Sequence, residues 1–135
     1  MMKNYLFDAF PLLCWLQEEP GYQLIDDLLT EAEAEKNSIS MHIINLGEVV
    51  YRLCRVSGTK RGEEILERIR MLPIRILSIS DEDVMAAAKI KAKYPISYAD
   101  AFAVARALES GATVVTGDPE YKKVSKVIEV LWVKS

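Results

Sequence analysis

The chain has 135 residues, of which 50% are hydrophobic and 27% are charged, and its formal net charge is −3. These values are typical of one globular domain covering residues 1–135. The longest apolar run, 9–16, is too short for a membrane span, no secretory signal pattern precedes it, and the two cysteines fit reduced thiols. We therefore expect a soluble cytoplasmic protein, and we exclude membrane proteins and disulfide scaffolds.

Short apolar runs alternate with amphipathic segments along the whole chain. In chain order we predict a strand at 4–7, helices at 9–17 and 23–36, a strand at 38–41, helices at 44–56 and 60–71, a strand at 74–79, helices at 81–93 and 98–110, a strand at 113–116, a helical turn at 119–123 and a strand at 127–133. This alternation indicates an α/β fold with a mostly parallel sheet and helices on both faces. The last strand should also be parallel, because a short helix precedes it.

Four carboxylates lie at positions where an apolar pattern disfavours them. Asp8 and Asp118 directly follow apolar strand segments, Glu48 lies in an apolar helix start, and Asp100 lies within the apolar stripe of its helix. Ligands of parallel α/β sheets bind at the carboxyl ends of the strands, where Asp8 and Asp118 should both lie. Buried carboxylates are costly unless they pair or hold a metal, so the four residues together favour a site of oxygen ligands for a hard divalent cation.

Each carboxylate also has a purely structural interpretation. Asp8 and Asp118 are each placed to cap the helical segment that follows, and Asp100 follows Ser97 at the spacing of a capping box. Glu48 fits a solvated helical position. Asp100 argues hardest against its structural interpretation, because a residue that serves only as a cap need not share the buried face of the helix.

Other site chemistries lack their residues. His42 is the single histidine, which argues against a zinc site or a histidine-based triad. Its simpler interpretation is a polar residue near a strand end. There is no glycine-rich phosphate loop, which disfavours a nucleotide cofactor.

Positive charge is concentrated in the middle of the chain. Residues 49–75 hold seven Lys or Arg against three Asp or Glu, whereas residues 1–48 hold two against nine. A basic helical face here is a candidate phosphate contact, and an ordinary solvated surface is the alternative. The candidate RNA-binding residues are Arg52, Arg55, Lys60 and Arg61.

Four segments together resemble the PIN domain family, and most closely its VapC-like toxin ribonucleases. They are Tyr5 to Asp8, Asn45 to Glu48, Ser97 to Ala103 and Gly111 to Glu120, and the similarity spans almost the whole chain. The last two segments are the part of the similarity that is specific to this family. The resemblance implies a three-layer PIN-like fold with a central sheet of four to five strands.

The resemblance also implies a site and an activity. Asp8, Glu48, Asp100 and Asp118 become an acidic quartet that binds one or two Mg²⁺ or Mn²⁺ ions and hydrolyses single-stranded RNA, with Thr116 in support. Glu120 adds a peripheral acid. One residue departs from the family, which often has Ser or Thr where this chain has Phe10.

The implied partners are single-stranded RNA, an antitoxin protein and a second copy of the chain, as a homodimer or higher oligomer. We expect the antitoxin to dock in apolar grooves near Trp15, Leu24 and Leu28. Two alternatives remain open. One is a PIN-fold RNA-processing nuclease without a toxin role, and the other is a non-catalytic interaction module in which Phe10 marks lost activity.

Overall fold

A computed structural model describes residues 2–134, which contain one five-stranded sheet. The strands are β1 (Lys3–Phe7), β2 (Asn37–His42), β3 (Arg75–Leu77), β4 (Thr113–Thr116) and β5 (Val130–Trp132). The helices are α1 (Ala9–Leu16), α2 (Tyr22–Glu33), α3 (Ile43–Ser57), α4 (Thr59–Arg70), α5 (Asp81–Lys93) and α6 (Tyr98–Ser110), and a 3₁₀ helix covers Pro119–Val124. The predicted alternation of strands and helices is therefore confirmed.

Every strand pair in the described sheet is parallel, in the order β3-β2-β1-β4-β5. The predicted parallel final strand is confirmed, since β5 pairs in parallel with β4. The strand β1 lies between β2 and β4, so the chain changes direction across the sheet at β1. The carboxyl ends of β1 and β4 are neighbours at this switch point, which is where open α/β sheets bind ligands.

The two edge strands are shorter than predicted. We expected strands at 74–79 and 127–133, whereas β3 covers Arg75–Leu77 and β5 covers Val130–Trp132. The apolar pattern continues beyond these bounds, but an edge strand pairs on one side only. The strand β3 stops opposite His42, because β2 gives way there to α3.

Alternating side chains of the central strands separate the core into two layers. Phe7 and Val115 pack with α1, α2, α3 and α4 on one face. Leu6 and Val114 pack with α5, α6 and the 3₁₀ helix on the other face. This arrangement confirms the expected sheet with helices on both faces.

Local signals define the helices on the second face. Ser80 caps α5 in a full capping box with Asp83, and three acidic residues occupy the first turn, where the helix dipole favours them. Ser97 caps α6, which ends at Gly111 with a positive φ of 72°. In the described part of the chain, no helix combines the length and the apolar content that a bilayer crossing requires.

His42 is a fully buried residue at the end of β2. Its Nδ1 accepts a hydrogen bond from the backbone N–H of Ile44 and thereby caps α3. Its Nε2 lies 3.6 Å from Oδ2 of Asp83. Burial lowers the pKa of His42, although the charge of Asp83 acts in the opposite direction, so the side chain is neutral at pH 7. Its role is the capping of α3.

Candidate metal centre

A cavity at the carboxyl ends of β1 and β4 brings together the four carboxylates that the sequence singled out. Asp8, Glu48, Asp100 and Asp118 all line it. Its volume of about 160 Å³ is smaller than the ~300–1,000 Å³ of a typical pocket for an organic ligand. The size therefore favours an ion and part of a polar substrate over an organic cofactor.

Thr116 links the acids that follow the two neighbouring strands. Its Oγ1 donates to Oδ2 of the buried Asp8 at 2.7 Å and accepts from the backbone N–H of Asp118 at 3.1 Å. Asp8 also accepts from the N–H of Phe10, and Asp118 accepts from the N–H of Glu120. Both acids therefore cap the following helix, and their helix-capping role and their place in the cavity coexist.

Asp100 occupies the capping-box position of α6 without completing the box. The Ser97 hydroxyl accepts from the N–H of Asp100, but the N–H of Ser97 donates to Glu120 rather than to Asp100. In α5, by contrast, the equivalent Asp83 does bond back to its cap. Because Glu120 accepts the hydrogen bond from the N–H of Ser97, the carboxylate of Asp100 is available to bind a ligand in the cavity.

Glu120 belongs to the acidic cluster more closely than the sequence suggested. Carboxylate oxygens of Asp100, Asp118 and Glu120 lie within 4.8 Å of one another. Glu120 is half-buried in the 3₁₀ helix. Its place depends on the hydrogen bond to Ser97, which lies 23 residues away in the chain.

Tyr121 is a site residue that sequence reasoning missed. Its ring is buried, with 1% exposure, and its hydroxyl donates to Oδ1 of Asp100 at 3.2 Å. Burial and the charges of Asp8 and Asp100 raise the pKa of Tyr121 well above its usual value, so it remains a hydrogen-bond donor. Its spacing of three residues from Asp118 was an available signal, because a 3₁₀ helix brings such residues to one face.

The cavity disfavours negative charge in the absence of a cation. Burial, with added repulsion from Asp100 and Asp118, raises the pKa of Asp8 to about 8, even though the hydrogen bond from Thr116 lowers it. Burial, with added repulsion from Asp118, raises the pKa of Asp100 to about 6, although the nearby side chains of Ser97 and Tyr121 act to lower it. A divalent cation would reverse this balance.

The donor set fits a hard divalent cation. Asp8, Asp100, Asp118 and Glu48 offer carboxylate oxygens, and His42 is buried in contact with Phe102 and Asp83 instead. A set of oxygen donors alone suits Mg²⁺ and Mn²⁺, whereas protein zinc sites typically include histidine nitrogen or cysteine sulfur. Glu48 is half-buried, and its Oε1 accepts from Nδ2 of Asn45 at 3.2 Å.

Of the four predicted RNA-binding cations, Arg52 lines the cavity and the other three are not among its lining residues. Arg52 is exposed. The guanidinium of Arg55 lies 5.6 Å from the ring centre of Tyr51, and Arg61 pairs with Glu64 at 3.2 Å. The exposed Lys60 lies in the first turn of α4.

Phe10 is packed against the loop that carries Asp118. The residue is 37% exposed and lines the cavity. A β-carbon added at Gly117 would overlap ring atoms of Phe10. Gly117 has no positive φ, so its lack of a side chain serves this contact rather than a special backbone conformation.

We expect Gly117→Ala to destabilise the protein by about 1 kcal/mol, at the lower end for overpacking, because the partly exposed ring of Phe10 must move to accommodate the new methyl group. Urea unfolding of Gly117→Ala, Phe10→Ala and the double variant measures this effect. In the Phe10→Ala background the glycine substitution should cost much less. An equal cost in both backgrounds would show that the ring is not the obstacle.

Comparisons with known proteins agree with this architecture. The PIN domain family model matches residues 5–127. The crystal structure of VapBC2 from Rickettsia felis, bound to a DNA fragment from their promoter, has 15% identity and a TM-score of 0.75, with 97% of this chain and 99% of that chain covered. DNA-bound VapBC from Salmonella typhimurium has 16% identity and a TM-score of 0.75, covering 99% and 100%.

A toxin-antitoxin complex from Klebsiella pneumoniae has 17% identity and a TM-score of 0.69, with 97% of this chain and 98% of that chain covered. At such identities the likeness concerns the fold. A comparison with curated protein sequences found no match.

Proposed function

The chain belongs to the PIN domain family, and we propose that it is a divalent-metal-dependent endoribonuclease that hydrolyses phosphodiester bonds in single-stranded RNA. The observation that carries this proposal is the meeting of Asp8, Glu48, Asp100 and Asp118 in one small cavity at the switch point of the sheet. Such a carboxylate cluster repels phosphate by itself, so activity requires a cation.

We assign the cation to Mg²⁺ or Mn²⁺. Asp8, Asp100, Asp118 and Glu48 would hold it, directly or through a bound water. Glu120 adds an acid to the same cluster, with its carboxylate oxygen within 4.8 Å of those of Asp100 and Asp118. When bound, it neutralises charge on the phosphate and lowers the pKa of the attacking water. Thr116 keeps Asp8 and Asp118 in fixed relation through its two hydrogen bonds, and Tyr121 orients Asp100. Glu48, which is half-buried, is available to hold the attacking water and to accept its proton.

RNA cleavage by the purified chain tests the proposal. A fluorescent single-stranded RNA should be cut with Mn²⁺ present and remain intact with EDTA. Cleavage that persists in EDTA would contradict metal dependence. A chain that binds Mn²⁺ but cuts no RNA under any condition would favour the non-catalytic interaction module.

Arg52 is the cation best placed to contact a phosphate beside the scissile bond, because it lines the acidic cavity. We expect Arg52→Ala to weaken RNA binding and to reduce its salt dependence by about one unit of slope. Fluorescence anisotropy across a salt series measures both quantities, with the Asp100→Asn chain as background to prevent cleavage.

Arg61→Ala is the matched control for Arg52→Ala, because Arg61 is exposed and already paired with Glu64. It should change RNA affinity less than Arg52→Ala. Equal effects of the two substitutions would assign the RNA path to the whole basic segment rather than to the rim of the cavity.

We further propose that the chain is the toxin of a toxin–antitoxin pair. A toxin-antitoxin complex shares its fold, which supports this role. Of the residues expected near an antitoxin groove, Leu28 is buried in the core, whereas a cleft beside Trp15 is lined by Leu29 and Leu72. Growth arrest on expression of the wild-type chain, absent with Asp100→Asn, tests the role. RNA cleavage without growth arrest would favour an RNA-processing enzyme.

A second copy of the chain is the other partner that we propose, in a homodimer or higher oligomer. Beside Glu48 lies an apolar face with partly exposed side chains. Exposed apolar surface of this kind is typical of a contact between proteins. These side chains are Ile44, Tyr51, Ile79 and Tyr98, with exposures of 37–52%. Sedimentation equilibrium tests the oligomer, and a mass equal to one chain would contradict it.

A further inference from the structure

Asn45 is a fully buried amide in the first turn of α3 that contacts two acceptors on different elements. Its Nδ2 donates to Oε1 of Glu48 at 3.2 Å and to the backbone carbonyl of Ala99 at 3.3 Å. Both partners can only accept, so the amide must present its nitrogen to them. The side chain therefore joins a cavity-lining acid to the first turn of α6.

The other end of the same amide is unsatisfied. Oδ1 of Asn45 is buried without a hydrogen-bond donor among the described residues. A buried polar atom of this kind costs stability, and an apolar side chain of similar size would avoid the cost. Stability alone therefore gives a weak reason for an amide at this position, which points to a role for its two donated hydrogen bonds.

The hydrogen bond to Glu48 restricts a side chain that is otherwise free to move. Glu48 is half-buried and lines the cavity one helical turn after Asn45. A glutamate has several rotatable bonds, and ordering them on ligand binding reduces affinity. The hydrogen bond to Ala99 adds a second constraint, because Ala99 directly precedes Asp100 in α6.

We propose that Asn45 is a positioning residue that holds the carboxylate of Glu48 in the cavity before any ligand binds, at a fixed distance from the turn that carries Asp100. This inference rests on the proposed function, since it assigns Glu48 to the metal site. Asn45 acts through Glu48 and does not itself contact the ion or the RNA. Residues that orient metal ligands typically contribute about 10–100-fold to metal affinity.

Mn²⁺ titration calorimetry on Asn45→Leu, Glu48→Ala and the double variant tests the proposal. Asn45→Leu should weaken Mn²⁺ binding by about tenfold. The same substitution should have no further effect in the Glu48→Ala background, because the group it positions is gone. Unchanged affinity in Asn45→Leu would overturn the proposal, and so would an equal loss in both backgrounds.

Asn37→Leu is a matched control for the loss of a buried amide. Asn37 is 7% exposed, donates to the carbonyl of Leu28 and likewise has an unsatisfied Oδ1. It lies at the start of β2, at the opposite end of the strand from the α3 junction. Asn37→Leu should leave Mn²⁺ affinity unchanged, and an equal loss of affinity in both leucine variants would overturn the proposal. If Asn45→Leu does not fold, Asn45→Ala removes the same two hydrogen bonds.

A measurement without metal separates this inference from the proposed function. In EDTA, NMR relaxation of the Glu48 methylene carbons should report greater mobility in Asn45→Leu than in the wild type. Wild-type protein that does not bind Mn²⁺ would contradict the proposed metal site, while the relaxation experiment would still decide the role of Asn45. Equal mobility in the two proteins would overturn that role.

Discussion

Asp100→Asn is expected to reduce RNA cleavage at least ~100-fold while the protein remains folded. Asparagine has nearly the same shape, but it lacks the charge that a divalent cation requires. Burial raises the pKa of Asp100 to about 6, so the ionised group is unfavourable in the metal-free protein and its removal should not destabilise the fold. Single-turnover cleavage at saturating Mn²⁺ measures the loss, and thermal unfolding in EDTA checks the fold.

Asp83→Asn is the matched control for this substitution. Asp83 and Asp100 are each 7% exposed and each follow a capping serine by three residues. Asp83, however, bonds back to the N–H of Ser80 and lies 3.5 Å from the guanidinium of Arg106. Its replacement should therefore reduce stability and spare cleavage. Equal loss of cleavage in both variants would mean that Asp100 acts through the fold.

The strand pattern was sufficient to predict where Asp8 and Asp118 lie. Each follows a short apolar run, and parallel strands place their carboxyl ends on the same edge. What the pattern could not predict was the adjacency of β1 and β4, which the long separation between them in the chain leaves open. The placement of the four acids favoured one site, the family resemblance implied that they form an acidic quartet, and the cavity contains both Asp8 and Asp118.

The contacts that support the acids were harder to predict, because they depend on tertiary packing. Periodicity placed Asp100 on the buried face of its helix, and it is 7% exposed. Periodicity does not reveal that Glu120, rather than Asp100, accepts the hydrogen bond from the N–H of Ser97. Nor does it reveal that the hydroxyl of Tyr121 donates to the carboxylate of Asp100. Asn45 was part of a recognised segment, yet its link to Ala99 joins residues 54 positions apart.

The same burial that makes these acids useful ligands makes the metal-free protein sensitive to pH. A carboxyl whose pKa is raised on folding binds its proton more tightly in the folded state than in the unfolded state. Its contribution to stability is therefore present at low pH and lost as pH rises through the folded pKa. Asp8 and Asp100 both have this sign, with folded values of about 8 and about 6 against 3.8.

We expect the free energy of unfolding in EDTA to fall as pH rises from 5 to 8. One unit of pKa shift corresponds to about 1.4 kcal/mol, so the decline should be at least of this size. Mn²⁺ should oppose this decline, because metal binding requires the deprotonated acids. At a concentration of 100 times the dissociation constant, Mn²⁺ should raise the free energy of unfolding by about 2.7 kcal/mol at pH 8. Urea unfolding at each pH, with Mn²⁺ or EDTA, measures both effects.

Asp8→Asn removes the carboxyl with the larger shift and is the control for this prediction. The variant should lose less stability between pH 5 and pH 8 in EDTA than the wild type, and it should gain less from Mn²⁺. The pH-dependent loss of stability and the stabilisation by Mn²⁺ should thus both decrease, because both depend on the carboxyl of Asp8. His42 contributes with the opposite sign, because burial lowers its pKa, so the comparison with Asp8→Asn isolates the acid. An equal change in stability between pH 5 and pH 8 in the wild type and in Asp8→Asn would show that Asp8 ionises without penalty, and the reason for a cation in this cavity would be weakened.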